Sequence, residues 1–172
     1  IKMTLVNDSI NVVLGVTVLL SYVITLPPAM QTMSANYLWA GIIGTSRSLT
    51  IVSMFITAIA YLYTYYYLRT ESSMIVTIGF LLFLIGATLW APMLTLNKKF
   101  LTLGALTMTS IGILVLLIFI FLKFDSLPLK IAIVYVFFHV FVLDNLHWGY
   151  KFYNIYDPTI LAQMTGTVKM NG

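Results

Sequence analysis

The 172-residue sequence predicts an all-α integral membrane bundle of five transmembrane helices running up and down. Three observations carry that prediction. Hydrophobic residues make up 60% of the chain and charged residues only 8%, whereas a soluble domain carries about a quarter charged residues. Five stretches are apolar over roughly the 20 residues that a helix needs to cross the hydrocarbon core. Three of the four joins between them are short, which forces neighbouring helices to run antiparallel.

The first span, 10–26, is the shortest. Pro27 and Pro28 are expected to end it, because proline gives no N–H to the helix ladder and restricts the residue before it. Extending it back towards Thr4 would bring Asp8 near the interface. A long loop, 27–47, follows. The second span, 48–68, closes on the run "YLYTYYYL", Tyr61 to Leu68, beside Arg69. That run reads as an interfacial belt, with rings in lipid and hydroxyls among headgroups. The third span, 73–94, carries Gly79 and Gly86 on one face, and the fourth, 100–122, carries Ala105, Thr109 and Gly112. Small residues let backbones approach in lipid, so these two helices are expected to pack closely. The fifth, 129–150, runs into a polar cluster within "FHVFVLDNLHWGYKFY", residues 138–153. Together the spans make one transmembrane domain, 1–156, and the polar stretch 157–172 reads as a surface tail.

The net charge of +4 is spread singly between the hydrophobic runs, which suits lipid headgroups and not a nucleic-acid surface. The expected partners are membrane lipids and either a second copy, as a homodimer, or other membrane subunits. No nucleic acid is expected. The absence of cysteine excludes disulfides, thiolate metal sites and cysteine nucleophiles together. Lys2, Arg69, Lys123 and Lys130 fall on one side of the five-span scheme, and Arg47, Lys98, Lys99, Lys151 and Lys169 on the other. That balance selects no orientation.

The chemistry-bearing residues gather in the fifth span. On an α-helix His139 and His147 would be about 12 Å apart along the axis, too far to share one metal ion. Asp144 and His147, three residues apart, could meet on one face. Two ligands from one helix do not close a metal site, and the middles of the other spans offer no further His, Asp or Glu. No G-x-S-x-G motif accompanies the serines, so no catalysis is expected. An ionisable group inside a membrane is a functional candidate with a partner to be named. Here Asp144 would pair with His147, Asn145 would bond a neighbouring helix, and His139, which lies deeper, would make an interhelical hydrogen bond. The alternative for Asp144, Asn145 and His147 is a headgroup-level anchor beside Trp148 and Lys151.

The order of features resembles the TspO/MBR family of tryptophan-rich sensory or translocator proteins. "LWAP", Leu89 to Pro92, is similar to that family's W-S-P-type element in the third span. "LDNLHW", Leu143 to Trp148, is similar to its L-N-x-x-x-W ending of the fifth span, with Asp144 in place of the asparagine. Trp39 can occupy the first position of the family's W-x-P-P-x-W element, but Gly41, Ile42 and Gly44 stand where its prolines and second tryptophan would be. The resemblance implies a pocket between helices, closed by the first loop, that accepts flat apolar molecules such as porphyrins or sterol-like lipids. Trp39, Trp90, Phe138, Asp144 and Trp148 would line it, with His139, Asn145 and His147 as polar interhelical residues. No resident cofactor is implied, only porphyrin or lipid as ligand.

Two further classes compete with a ligand-binding membrane protein. One is a structural or accessory subunit of a larger membrane assembly, whose low charge and glycine stripes serve protein contacts. The other is a small channel or proton-coupled transporter using Asp144 and His139, which lacks the several intramembrane charges that such paths show.

Overall fold

In a computed structural model of the chain, the described residues are 2–32 and 38–155, and the tail expected at 157–172 lies outside them. They form α1 (Lys2–Thr32), α2 (Gly44–Leu68), α3 (Met74–Thr95) and α4 (Lys99–Lys123). The last span is composite, with α5 (Leu127–Phe137), a π-helical segment (Phe138–Trp148) and α6 (Gly149–Ile155). Five of these helical stretches are long and apolar enough to cross a membrane, with mean hydropathy from 1.4 to 2.7. The protein is an all-α, multi-pass membrane bundle. Helices suit the bilayer because they satisfy every backbone polar group within the segment. The hydroxyls of Thr50, Thr57, Thr64, Thr109 and Ser110 follow the same logic and donate to carbonyls four residues back on their own helices.

Neighbourhood in space departs from chain order. α1 leans on α3, α3 on α4, α4 on α5 and the π segment, and these in turn on α2. The α3–α4 seam is the closest approach. A methyl group added at Gly112 would strike the backbone N of Phe83 and lie 2.7 Å from the carbonyl O of Gly79. One added at Gly86 would strike the Thr109 hydroxyl and come within 2.6 Å of the Ala105 carbonyl O. The small residues singled out in the sequence therefore meet each other, as expected where close approach supplies the packing that apolarity cannot supply in lipid. Two buried clusters flank the seam. The larger joins Phe80, Ile113, Leu116, Ile120 and Ile133, and the smaller joins Leu38, Ile42, Leu94, Leu106, Trp148 and Phe152.

Two expectations are corrected here. Pro27 and Pro28 do not end the first span: α1 runs on through both to Thr32. Each proline forfeits one ladder bond, but two losses in the last turns of a 31-residue helix leave the rest of the ladder intact. The continuation brings Ala29 into the small cluster at 5% exposure. The same extension shortens the long loop, since α2 begins at Gly44, before Arg47 and not after it. Pro92 also lies inside a helix, α3. The chain returns from α1 through a turn at Trp39–Gly41, held by Ile42 N–H donating to the Trp39 carbonyl at 2.9 Å. Ala40 and Gly41 there take φ of 49° and 73°, a left-handed conformation that glycine adopts freely and alanine at a cost.

Candidate functional site

The polar cluster lies on the π segment, and the π repeat decides its geometry. Backbone bonds from residue i to i+5 put residues five apart on a common face, and the Gly149 N–H duly reaches the Asp144 carbonyl. His139 and Asp144 are five apart. The carboxylate Oδ1 of Asp144 stands 3.5 Å from His139 Nε2, and the expected pairing with His147, which assumed an α repeat, is not made among the described residues. His147 is half-buried and turns elsewhere.

From His139 a chain of hydrogen bonds crosses to α2. His139 Nδ1 is 2.8 Å from the hydroxyl of Ser53, which is itself 3.0 Å from the Tyr135 hydroxyl on α5. His139 is 3% exposed and Ser53 8%. The arrangement has the residue types of a nucleophilic triad, but the serine is the covered end. The open end is Asp144, with 34% of its side chain exposed. What the chain does is hold the imidazole in one orientation, with the carboxylate 3.5 Å from its other nitrogen. Asn145, on another face of the π segment, donates to Ser110 of α4 at 3.1 Å and ties the segment to the seam.

The three tryptophans converge above this cluster. The Trp90 and Trp148 rings meet edge to face with centroids 5.6 Å apart, and Trp148 stacks on Phe152 at 4.7 Å. Trp148 Nε1 donates to the Leu38 carbonyl at 3.1 Å, which pins the first loop over the bundle. Trp39 packs against the same cluster and carries the Arg47 guanidinium 5.6 Å above its ring. Tyr22 of α1 meets Trp90 edge to face at 5.8 Å and lies within electrostatic reach of Asp144. The indole N–H of Trp90 is buried with no hydrogen-bond partner among the described residues.

Phe138 does not belong to this group. It is 47% exposed and lines an outward apolar groove of about 460 Å³ with Phe121, Ile131 and Val134. It stands one α-turn after Val134, on the face that α5 turns away from the tryptophans. The structure thus gathers Trp90 and Trp148 under the loop that carries Trp39, pairs Asp144 with His139 within electrostatic reach of Tyr22, sends Asn145 to α4, and separates Phe138.

A second polar cluster escaped the sequence reading. Near the start of α1, Asn7 donates to the Glu71 carbonyl at 2.9 Å and accepts from Thr77 at 2.7 Å. Asp8 accepts from the Tyr65 hydroxyl at 2.5 Å, and Asn11 accepts from that of Tyr61. Tyr61 and Tyr65 therefore point inward, against Phe80 and Phe83. Only the outward members of the run, such as Tyr66 at 63% exposure, fit the belt expected of all of it. The signal was available: Asn7 and Asn11 are one helical turn apart, as are Tyr61 and Tyr65, and turn-spaced polar pairs on two spans seek each other.

Among the described residues no group of three or more His, Cys, Asp or Glu could hold a metal ion. No protein-family model, curated protein or solved structure matches the chain.

Proposed function

We propose that the protein binds a flat apolar molecule between α1, α2 and the π segment, beneath the loop that carries Trp39. One observation carries this reading. α1 is buried at both ends of its inward face, at Asn7 and Asn11 and again at Ala29, while between them Leu14, Gly15, Val18, Tyr22 and Leu26 are only half-covered. A helix clamped at both ends and loosely covered in the middle leaves room along its length, and a methyl added at Gly15 would meet nothing within 4 Å. The π segment is likewise half-covered at five successive residues, Phe141 to Asn145. Aromatic walls with few polar groups suit a flat apolar ligand. The resemblance to the TspO/MBR family supports the same reading, with porphyrin- or sterol-like ligands.

The test is energy transfer from tryptophan to dehydroergosterol, a fluorescent sterol, with the protein in phosphatidylcholine nanodiscs. Saturable transfer is expected, and Trp90→Ala should weaken binding by about tenfold, the loss of one well-packed aromatic wall. Transfer that rises linearly with sterol, as in an inert bilayer, would remove the basis of the proposal.

A further inference from the structure

We infer that Asp144 makes this space selective for an apolar molecule bearing a protonated amine. The inference rests on the pocket reading above and adds the chemical class of its ligand.

Four carboxylates lie among the described residues. Glu71 is paired with Lys123, and Asp125 lies 3.7 Å from Lys130. Asp8 takes the Tyr65 hydroxyl proton at 2.5 Å. All three sit towards the end of the bundle that holds the start of α1 and the α2–α3 and α4–α5 joins. Asp144 lies beside the half-covered middle of α1 and has His139 Nε2 at 3.5 Å. That distance is longer than the 2.7–2.9 Å, roughly, of a charge-assisted N–H···O bond. A carboxylate within a span is costly unless a counter-charge or donors compensate it. Among the described residues the ion-pair partner of Asp144 is His139, while Lys123 and Lys130 are engaged at the opposite end and Arg47 is held at the loop by the Ile42 carbonyl and the Trp39 ring.

The surroundings favour an ammonium over other donors. The Tyr22 ring lies within electrostatic reach of the carboxylate and meets the Trp90 ring edge to face, and aromatic faces attract an ammonium as well as its apolar body. The same carboxylate repels an anionic head. The Ser53 hydroxyl, itself bonded to that of Tyr135, holds His139 from behind, so the imidazole beside the carboxylate keeps its place when a ligand arrives. Asp144 is a specificity-determining residue in this scheme, and no bond is made or broken.

Three probes with one body separate the elements: 1-pyrenemethylamine, 1-pyrenemethanol and 1-pyreneacetate, each read by energy transfer from the tryptophans in phosphatidylcholine nanodiscs and corrected against empty nanodiscs. The amine is expected to bind about tenfold tighter than the alcohol, and the carboxylate weakest of the three. Asp144→Asn should bring the amine to the level of the alcohol and leave the alcohol within about twofold of its original affinity. Asp144→Glu, which keeps the charge, should keep the preference and shows that the helical fold tolerates a change there. Equal binding of amine and alcohol by the unaltered protein, or a preference that survives Asp144→Asn, overturns the inference and leaves the pocket standing. Absence of saturable transfer with all three probes removes the pocket reading and the inference together.

Discussion

The two sides of the bundle are built on opposite principles. At the α3–α4 seam, side chains are deleted: Gly79, Gly86 and Gly112 let the two backbones touch, and the hydroxyls of Thr109 and Ser110 bond within their own helix. On the other side, α1 stands apart from α2 and is joined to it by long polar reaches, Tyr61 to Asn11 and Tyr65 to Asp8, while Ser53 to His139 ties α2 to the π segment it leans on. In lipid neither side gains from apolarity alone, since hydrocarbon tails are as apolar as leucine. Close packing makes a rigid frame. Side-chain hydrogen bonds join helices whose backbones need not touch.

The contrast is broken most severely at the seam. Gly112→Val would drive two methyl groups into the Phe83 backbone, which cannot rotate away as a side chain would. A loss of about 3 kcal/mol or more is expected, read as a lowered midpoint of thermal unfolding in detergent. A neutral result would mean that α3 and α4 do not touch. On the open side the largest single effect is expected from Ser53→Ala, which strips His139 Nδ1 and the Tyr135 hydroxyl of one shared partner. The expected loss is about 1 to 2 kcal/mol. Ser53→Thr, which keeps the hydroxyl, should recover most of it.

The difference between the sides also explains what could be read from the sequence. Five spans and the α3–α4 contact are legible because length, apolarity and small-residue spacing act through short-range rules, each confined to one helix or one pair. Pro27 and Pro28 misled because a proline's cost depends on how many ladder bonds remain around it and on what the following turn buries, here Ala29. The π segment misled because its sequence has neither proline nor glycine, and its only trace is the five-residue step from His139 to Asp144. That one change of repeat moved the partner of Asp144 from His147 to His139. Phe138 was misplaced because facing is set by which neighbours α5 meets, a property of the whole bundle.

The loop tests whether the open side has a true roof. Trp148→Phe keeps the stacking on Phe152 but removes the N–H that holds the Leu38 carbonyl. A loss of about 1 kcal/mol is expected, together with faster amide exchange at Ala40, Gly41 and Ile42 and little change in α3 and α4. Exchange that rises everywhere would show that the indole supports the core and not the loop.

The smallest effects lie in the tyrosine run, and they discriminate most sharply because the chemistry of the substitution is the same throughout. Tyr65→Phe removes the proton that Asp8 accepts, and Tyr61→Phe removes the one that Asn11 accepts. Hydrogen bonds between membrane helices average about 0.6 kcal/mol, because the separated helices also find partners, so each change should cost about that much. Tyr66→Phe alters an exposed ring that stands beside Arg69 and should cost less. If these polar reaches are what keep α1 near α2, the double variant Tyr61→Phe with Tyr65→Phe should also admit solvent or lipid to the middle of α1, read as faster exchange at Leu14 to Val18. Three equal and negligible losses would place all the tyrosines at the headgroups, and α1 would then owe its position to α3 alone.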